Sequence, residues 1–217
     1  MKKILLAFFM AASIVSLAGC FDITEDVTIN KDGSGKYANT IDATKLAEQM
    51  KMFAAFDSTG EMIPKLKYSL DSSFASTWDA YKSIKDITNI KIDTSKEYVY
   101  TVALDFKNIA ALNAALSKDK SANQQNMYTW EKGKISRQDM PLNLSDLKTE
   151  DEQQKEMMKG FLKDMTYKII FHLPNSVKKV SNKSATISQD KKTVTLEANL
   201  LDVTEDKVKL GTEVTYK

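Results

Sequence analysis

The amino-acid sequence predicts an α+β protein: one or more antiparallel sheets, about eight to ten strands in all, with three to four helices packed on one face. Three observations carry this. Short runs with period-two alternation recur in adjacent pairs, separated by tight polar turns. Between them lie segments whose apolar residues repeat at i, i+4 and i+7, the spacing of one helix face. There is no internal repeat. Strands that follow one another across tight turns favour antiparallel pairing, with the helices laid against the sheet.

In chain order, residues 27–29 and 37–41 alternate on either side of Lys31-Asp32-Gly33-Ser34-Gly35. Asp-Gly between two such runs is a hairpin signal, because primed turns need positive φ. Residues 43–56 read as a helix through Leu46, Met50 and Phe53, and residues 69–85 as a second through Phe74, Trp78 and Tyr81, with Asp71 or Ser72 as its N-cap. A strand over 88–92 puts Thr88, Ile90 and Ile92 on one face, and one over 98–106 does the same for Tyr98, Tyr100, Val102, Leu104 and Phe106. Residues 108–116 form a short helix, and 127–130 with 135–138 a hairpin across Lys132-Gly133. Thr149-x-x-Glu152 matches a capping box that opens a helix. Alternation returns over 165–173, ended by Pro174, then in a hairpin of 184–188 with 193–200, and finally over 208–216.

Cys20 is the only cysteine among 217 residues. Ahead of it Lys2 and Lys3 precede an uncharged apolar run over 4–15, and Leu17-Ala18-Gly19 lead into the thiol. The run is short for a permanent span, which needs roughly 20 residues, and has the flanks of a secretory leader. Leu17-Ala18-Gly19-Cys20 resembles the bacterial lipobox. That resemblance implies a leader over 1–19 removed by cleavage and acyl chains on Cys20; residues 20–26 then read as a lipidated tether or the lead-in of the first strand, and the length and element pattern of 27–217 suit a single α+β domain. Each buried methylene contributes about 0.8 kcal/mol, so two or three chains hold a protein durably on a bilayer. The expected partner is the membrane, reached through those chains. The expected location is the cell envelope, periplasmic or surface-exposed, and the outer membrane if the cell is Gram-negative.

The full chain carries 31 basic and 29 acidic residues, and loss of Lys2 and Lys3 with the leader brings the balance to zero. A neutral chain with no basic block does not suit nucleic acid. Arg137 is the only arginine, and arginine is the residue that grips phosphate and carboxylate in a bidentate fork. With Cys20 acylated no thiol remains for a disulfide, redox chemistry or a thiolate metal site.

Catalytic and cofactor signatures fail on inspection. Gly33-Ser34-Gly35-Lys36-Tyr37-Ala38 fits the dinucleotide fingerprint in letters, but a strand and not a helix follows it. Asn30, Asp32 and Ser34 open like a calcium loop, yet Ile41 stands where the closing carboxylate belongs. His172 is the sole histidine, with no second to share a metal and no G-x-S-x-G elbow. No cofactor, no metal and no catalytic residue is expected. The aromatic stripe of Phe74, Trp78 and Tyr81, with the softer Met50 and Phe53, can line an apolar cavity, although such stripes more often form plain core.

The order of lipobox, Asn30-Lys31-Asp32-Gly33-Ser34-Gly35, a helix-rich middle, the strand Tyr167-Lys168-Ile169-Ile170-Phe171-His172-Leu173-Pro174 and the Lys191-Lys192-Thr193-Val194 hairpin is similar to LppM-type envelope lipoprotein domains. The segment from Asp105 to Asn113 also looks like lipoproteins common in Bacteroidetes. The LppM resemblance implies an α+β fold with an apolar cavity linked to lipid or glycolipid binding, and it supplies no catalytic residue. The leading expectation is therefore a non-catalytic, lipid-anchored envelope protein that binds a lipid or other apolar ligand. An envelope assembly component with a protein partner is the alternative, and a hydrolase built around His172 the third.

Overall fold

The computed structural model describes residues 22–54, 59–117, 126–139, 156, 159–160 and 162–217. Within its helices, the side chains of residues 49–50, 52–54, 62, 66 and 73–79 lie outside that description. Cys20 and the capping box at Thr149 also fall outside it.

Among the described residues eleven strands form two sheets, one more than the upper end of the expected range. β1 (Asp22–Ile29) and β2 (Gly35–Asp42) make the first hairpin, with Ile29 opposite Gly35. Gly33 turns it at φ 83°, with the Asp32 carboxylate accepting from the Ser34 amide and hydroxyl. A Cβ on Gly35 would lie 1.9 Å from the Thr28 carbonyl oxygen, so the second glycine serves close strand approach and no phosphate cradle. α1 (Thr44–Ala54) and α2 (Met62–Lys82) follow. α2 begins seven residues earlier than its spacing predicts. Pro64 is tolerated there because first-turn amides need no helical partner. Asp71 is consequently not a cap: it pairs with Lys67 one turn back and accepts from the Tyr100 hydroxyl at 2.9 Å.

β3 (Ile87–Asp93) pairs with β4 (Val99–Phe106), but Asn89 at φ 49° breaks the register between Thr88 and Lys91. Ile87 is buried and Ile90 and Ile92 pack half-buried on the same core as expected, while Thr88 is exposed. α3 (Ile109–Leu116) is capped by Asn108, whose side chain accepts from the Ala111 amide at 2.9 Å. β5 (Tyr128–Glu131) and β6 (Lys134–Arg137) form the next hairpin. β7 (Thr166–His172), β8 (Val177–Val180), β9 (Thr186–Ile187) and β10 (Thr193–Asn199) precede α4 (Leu200–Thr204) and β11 (Thr212–Tyr216).

The larger sheet runs β3-β4-β2-β1-β7-β10-β9, and the smaller β5-β6-β11-β8. Pairing is antiparallel except between β1 and β7, which the expectation of purely antiparallel sheets did not include. β1 starts at Asp22, so residues 22–26, readable as a tether or as the lead-in of the first strand, are strand paired on both sides.

One face of the large sheet is buried along its length. Val27, Ile29, Tyr37, Leu104, Ile169, Phe171 and Leu196 point into a single core that also takes Tyr81, Leu112, Ile135 and Val214. Burying such side chains stabilises by roughly 1.5–3 kcal/mol each. The helices and the small sheet share this inner face. The other face carries Thr24, Asp26, Thr40, Thr101, Lys168, Thr195 and Glu197, all half-buried or exposed. No described helix is long and apolar enough to cross a membrane.

Candidate functional site

β1 places Glu25 on the inner and Asp26 on the outer face of the large sheet, and a polar cluster grows from each. Along β1 the inward positions are Ile23, Glu25, Val27 and Ile29. Glu25 thus enters an otherwise apolar face, 2% exposed. Opposite, β6 turns Ile135 and Arg137 inward from the small sheet, and Arg137 is likewise 2% exposed. The guanidinium donates from Nε to Glu25 Oε2 at 3.0 Å and from Nη2 to Oε1 at 3.2 Å. The Tyr128 hydroxyl donates to Oε2 at 2.5 Å and the Tyr167 hydroxyl to Oε1. Each carboxylate oxygen therefore receives one guanidinium N–H and one phenol.

The surroundings fix every member. Arg137 Nη1 donates to the carbonyls of Gln138, at 3.1 Å, and Leu210, at 3.4 Å. The Asp139 carboxylate holds that second loop by accepting from the amides of Leu210 and Gly211. The Asn113 side chain bonds both the amide and the carbonyl of Tyr128, at 2.9 and 2.8 Å, tying α3 to β5. The Tyr128 ring meets Phe171 edge-on at 6.3 Å, and Arg137 lies over the Tyr167 ring at 5.6 Å.

Burial alone would push the Glu25 carboxyl up, but Arg137 and the hydrogen bonds from Arg137, Tyr128 and Tyr167 outweigh it and hold it below its ordinary value. Burial first, then the Glu25 charge, pushes Tyr128 and Tyr167 well above theirs, so both stay neutral donors. An ionised carboxylate with both oxygens engaged and no exposed edge has no lone pair to offer a substrate proton. This cluster clamps the two sheets together.

The outward cluster is different in kind. Asp26 and His172 sit on neighbouring strands, with Oδ2 and Nε2 3.1 Å apart. Thr193, directly opposite His172 on β10, brings its hydroxyl to 3.4 Å from Nδ1. The arrangement has the order of a carboxylate–imidazole–hydroxyl triad. It lies on an open strand surface with the imidazole side chain 43% exposed, and the hydroxyl is a threonine's. Neighbouring backbone amides are committed to the sheet, so none is aimed at a developing oxyanion. A serine hydrolase built on His172 needs a serine within hydrogen-bond reach, and its side-chain partners here are Asp26 and Thr193.

Of the expected cavity residues, Tyr81 is buried in the main core, 5% exposed. Met50 and Phe53 lie on α1 and Phe74 and Trp78 on α2, with side chains outside the description. Among the described residues no cluster of three His, Cys, Asp or Glu is placed to hold a metal ion.

Sequence reasoning missed Glu25, Arg137, Tyr128 and Tyr167 as a unit. The signals were present: one glutamate at an inward position of Ile23-x-Glu25-x-Val27-x-Ile29, and one arginine in a chain that otherwise uses lysine.

The chain matches no family profile and none of the curated proteins. Among solved structures, it is similar to the NMR structure of the folded domain of the Mycobacterium tuberculosis LppM protein. The TM-score is 0.44 at 9% sequence identity, over 92% of this chain and 91% of that one.

Proposed function

We propose that this protein is a lipid-anchored cell-envelope protein that acts by binding and not by catalysis. The observation that carries the reading is the junction of leader and fold: the lipobox-like cysteine is residue 20 and the central strand begins at Asp22. Acyl chains on Cys20 would hold the domain against the bilayer with a single residue, Phe21, between. The chemistry of the two polar clusters supports the non-catalytic half, since one is sealed and the other lacks a serine and an oxyanion donor. The location is the envelope, periplasmic or surface-exposed.

Intact mass of the protein from bacterial membranes tests this. The expected species begins at Cys20 and carries diacylglyceryl, and Cys20→Ser is expected to keep its leader. An unmodified cysteine in the mature protein would end the reading.

For the ligand, we propose a lipid or other apolar molecule taken up along Phe74, Trp78 and Tyr81 with Met50 and Phe53. Mass spectrometry of lipids co-purifying with a soluble form beginning at Phe21 tests it. Trp78→Ala is expected to reduce the co-purified lipid, and a lipid-free wild-type preparation would sink the idea.

A further inference from the structure

We infer that the first two turns of α2 rest in the headgroup layer of the phospholipid bilayer on which the protein is anchored. This rests on the reading of Cys20 as the anchor, and adds an orientation and a contact surface to it.

The geometry begins with Asp22. It pairs with Asp42 of β2 and Thr166 of β7, and Asp42 pairs in turn with Val99 of β4. These residues mark one end of the large sheet. Two residues of chain reach at most ~7 Å, so Cys20 cannot lie farther than that from Asp22. β1 is pinned on both sides, so the anchor fixes this end of the sheet toward the membrane.

α2 passes the same end. Its C-terminus leads into Ile87, which pairs with Phe106 at the opposite end of the sheet. Asp71 of α2 accepts from Tyr100, the second residue of β4, level with Ile41 near the anchored end. Leu70 and Leu46 pack on Ala43, Ala47 and Tyr98 at that end, and Lys51 Nζ lies 5.5 Å over the Tyr98 ring. Residues 62–70 therefore project beyond the sheet. At 1.5 Å per residue they carry the helix ~13 Å past Asp71. The headgroup layer on each side of a bilayer is roughly 5–8 Å thick. A domain held within reach of Cys20 thus brings this segment into that layer. β4 lies only two strands from β1, about 10 Å, which bounds how far tilting about the anchor carries the helix.

The exposed chemistry suits the destination. Tyr68, in this segment, is 76% exposed, the larger of the two strongly exposed large hydrophobics among the described residues. Tyrosine favours the headgroup level, where its ring meets acyl chains and its hydroxyl stays wet. Lys65 pairs with Glu61 and Lys67 with Asp71. The segment presents little net charge, so the contact does not depend on anionic lipid.

The lipidated mature protein in phosphatidylcholine vesicles gives the test. Acylated Cys20 offers no thiol, so Lys65→Cys and Lys31→Cys each present one site for a nitroxide. Both lysines are exposed, and Lys31 is in the turn at the far end of β1. The label at position 65 is expected to show several-fold lower collision with a water-soluble nickel chelate, and higher collision with oxygen, than the label at 31. Equal accessibility on protein whose mass shows the acyl chains overturns the orientation and leaves the anchor standing. A mass without acyl chains removes the anchor, and the orientation with it.

Discussion

Glu25 and Asp26 are consecutive residues of one strand, and they show how much the side of a sheet decides. Glu25 points into the core, where Arg137, Tyr128 and Tyr167 fill its four acceptor positions. Asp26 points out, 3.1 Å from His172, on a face that water reaches. Coulombic attraction between similar partners is several times stronger at low dielectric than in water, but the inner pair also carries the cost of desolvating two charges. The inner cluster is consequently all-or-none. Complete, it joins two sheets; with Glu25 or Arg137 alone removed, it leaves a charge stranded. The outer pair can be lost and replaced by water. Buried polarity of this kind is weak evidence for a reactive site and good evidence for a fixed sheet-to-sheet register.

The sharpest way to break the comparison is Arg137→Met. It leaves Glu25 ionisable and buried without a counter-charge, and is expected to cost about 3–5 kcal/mol in denaturant unfolding. The double variant Glu25→Leu with Arg137→Met is expected to recover most of that loss, because an apolar pair of similar volume avoids the desolvation cost. A double variant as unstable as the single would mean that the sheets need the ion pair itself. Next in size comes Tyr128→Phe. It removes a hydrogen bond to a charged acceptor, worth about 1.5–3 kcal/mol, while Asn113 still holds the backbone of residue 128. A loss well under 1 kcal/mol in thermal unfolding would show that Tyr128 contributes little to holding the carboxylate.

Acid separates the clusters by another route. Glu25 binds its proton more weakly folded than unfolded, because Arg137 and the phenols outweigh burial. Its contribution is present above the unfolded value, near 4.5, and is lost as pH falls through the lower folded value. The acid limb of the stability curve is therefore expected to flatten in Glu25→Gln relative to the wild type. An unchanged slope below pH 4.5 would place the acid sensitivity elsewhere.

Most of the strands were legible because alternation and turn chemistry are local. The Asp32-Gly33 turn, the strand ended by Pro174 and the short helix after Asn108 follow from residues within a few positions of each other. The parallel pairing of β1 with β7 was not, since it joins segments more than 140 residues apart with no turn between them. The start of α2 was missed because Pro64 reads as a breaker unless the helix is known to begin two residues before it. The start of β1 stayed open between tether and strand because Glu25 interrupts the apolar alternation. The missing piece was its partner, 112 positions away. A buried charge can be read from sequence only as an anomaly at an inward position, and its counter-ion only as a residue type used once.

The smallest effect belongs to the outer pair, and its size is what the comparison turns on. Asp26 and His172 have side chains 40% and 43% exposed, so solvent screens their attraction and either can be rehydrated at little cost. His172 keeps Thr193 as a neighbour whether or not Asp26 is charged. Asp26→Asn is therefore expected to change stability by no more than about 1 kcal/mol, and less in high salt. Glu25→Gln, one residue away, is expected to exceed it several-fold. If Asp26→Asn instead costs as much as Glu25→Gln, the open face is covered in the working protein, and water is not what meets Asp26 and His172 there.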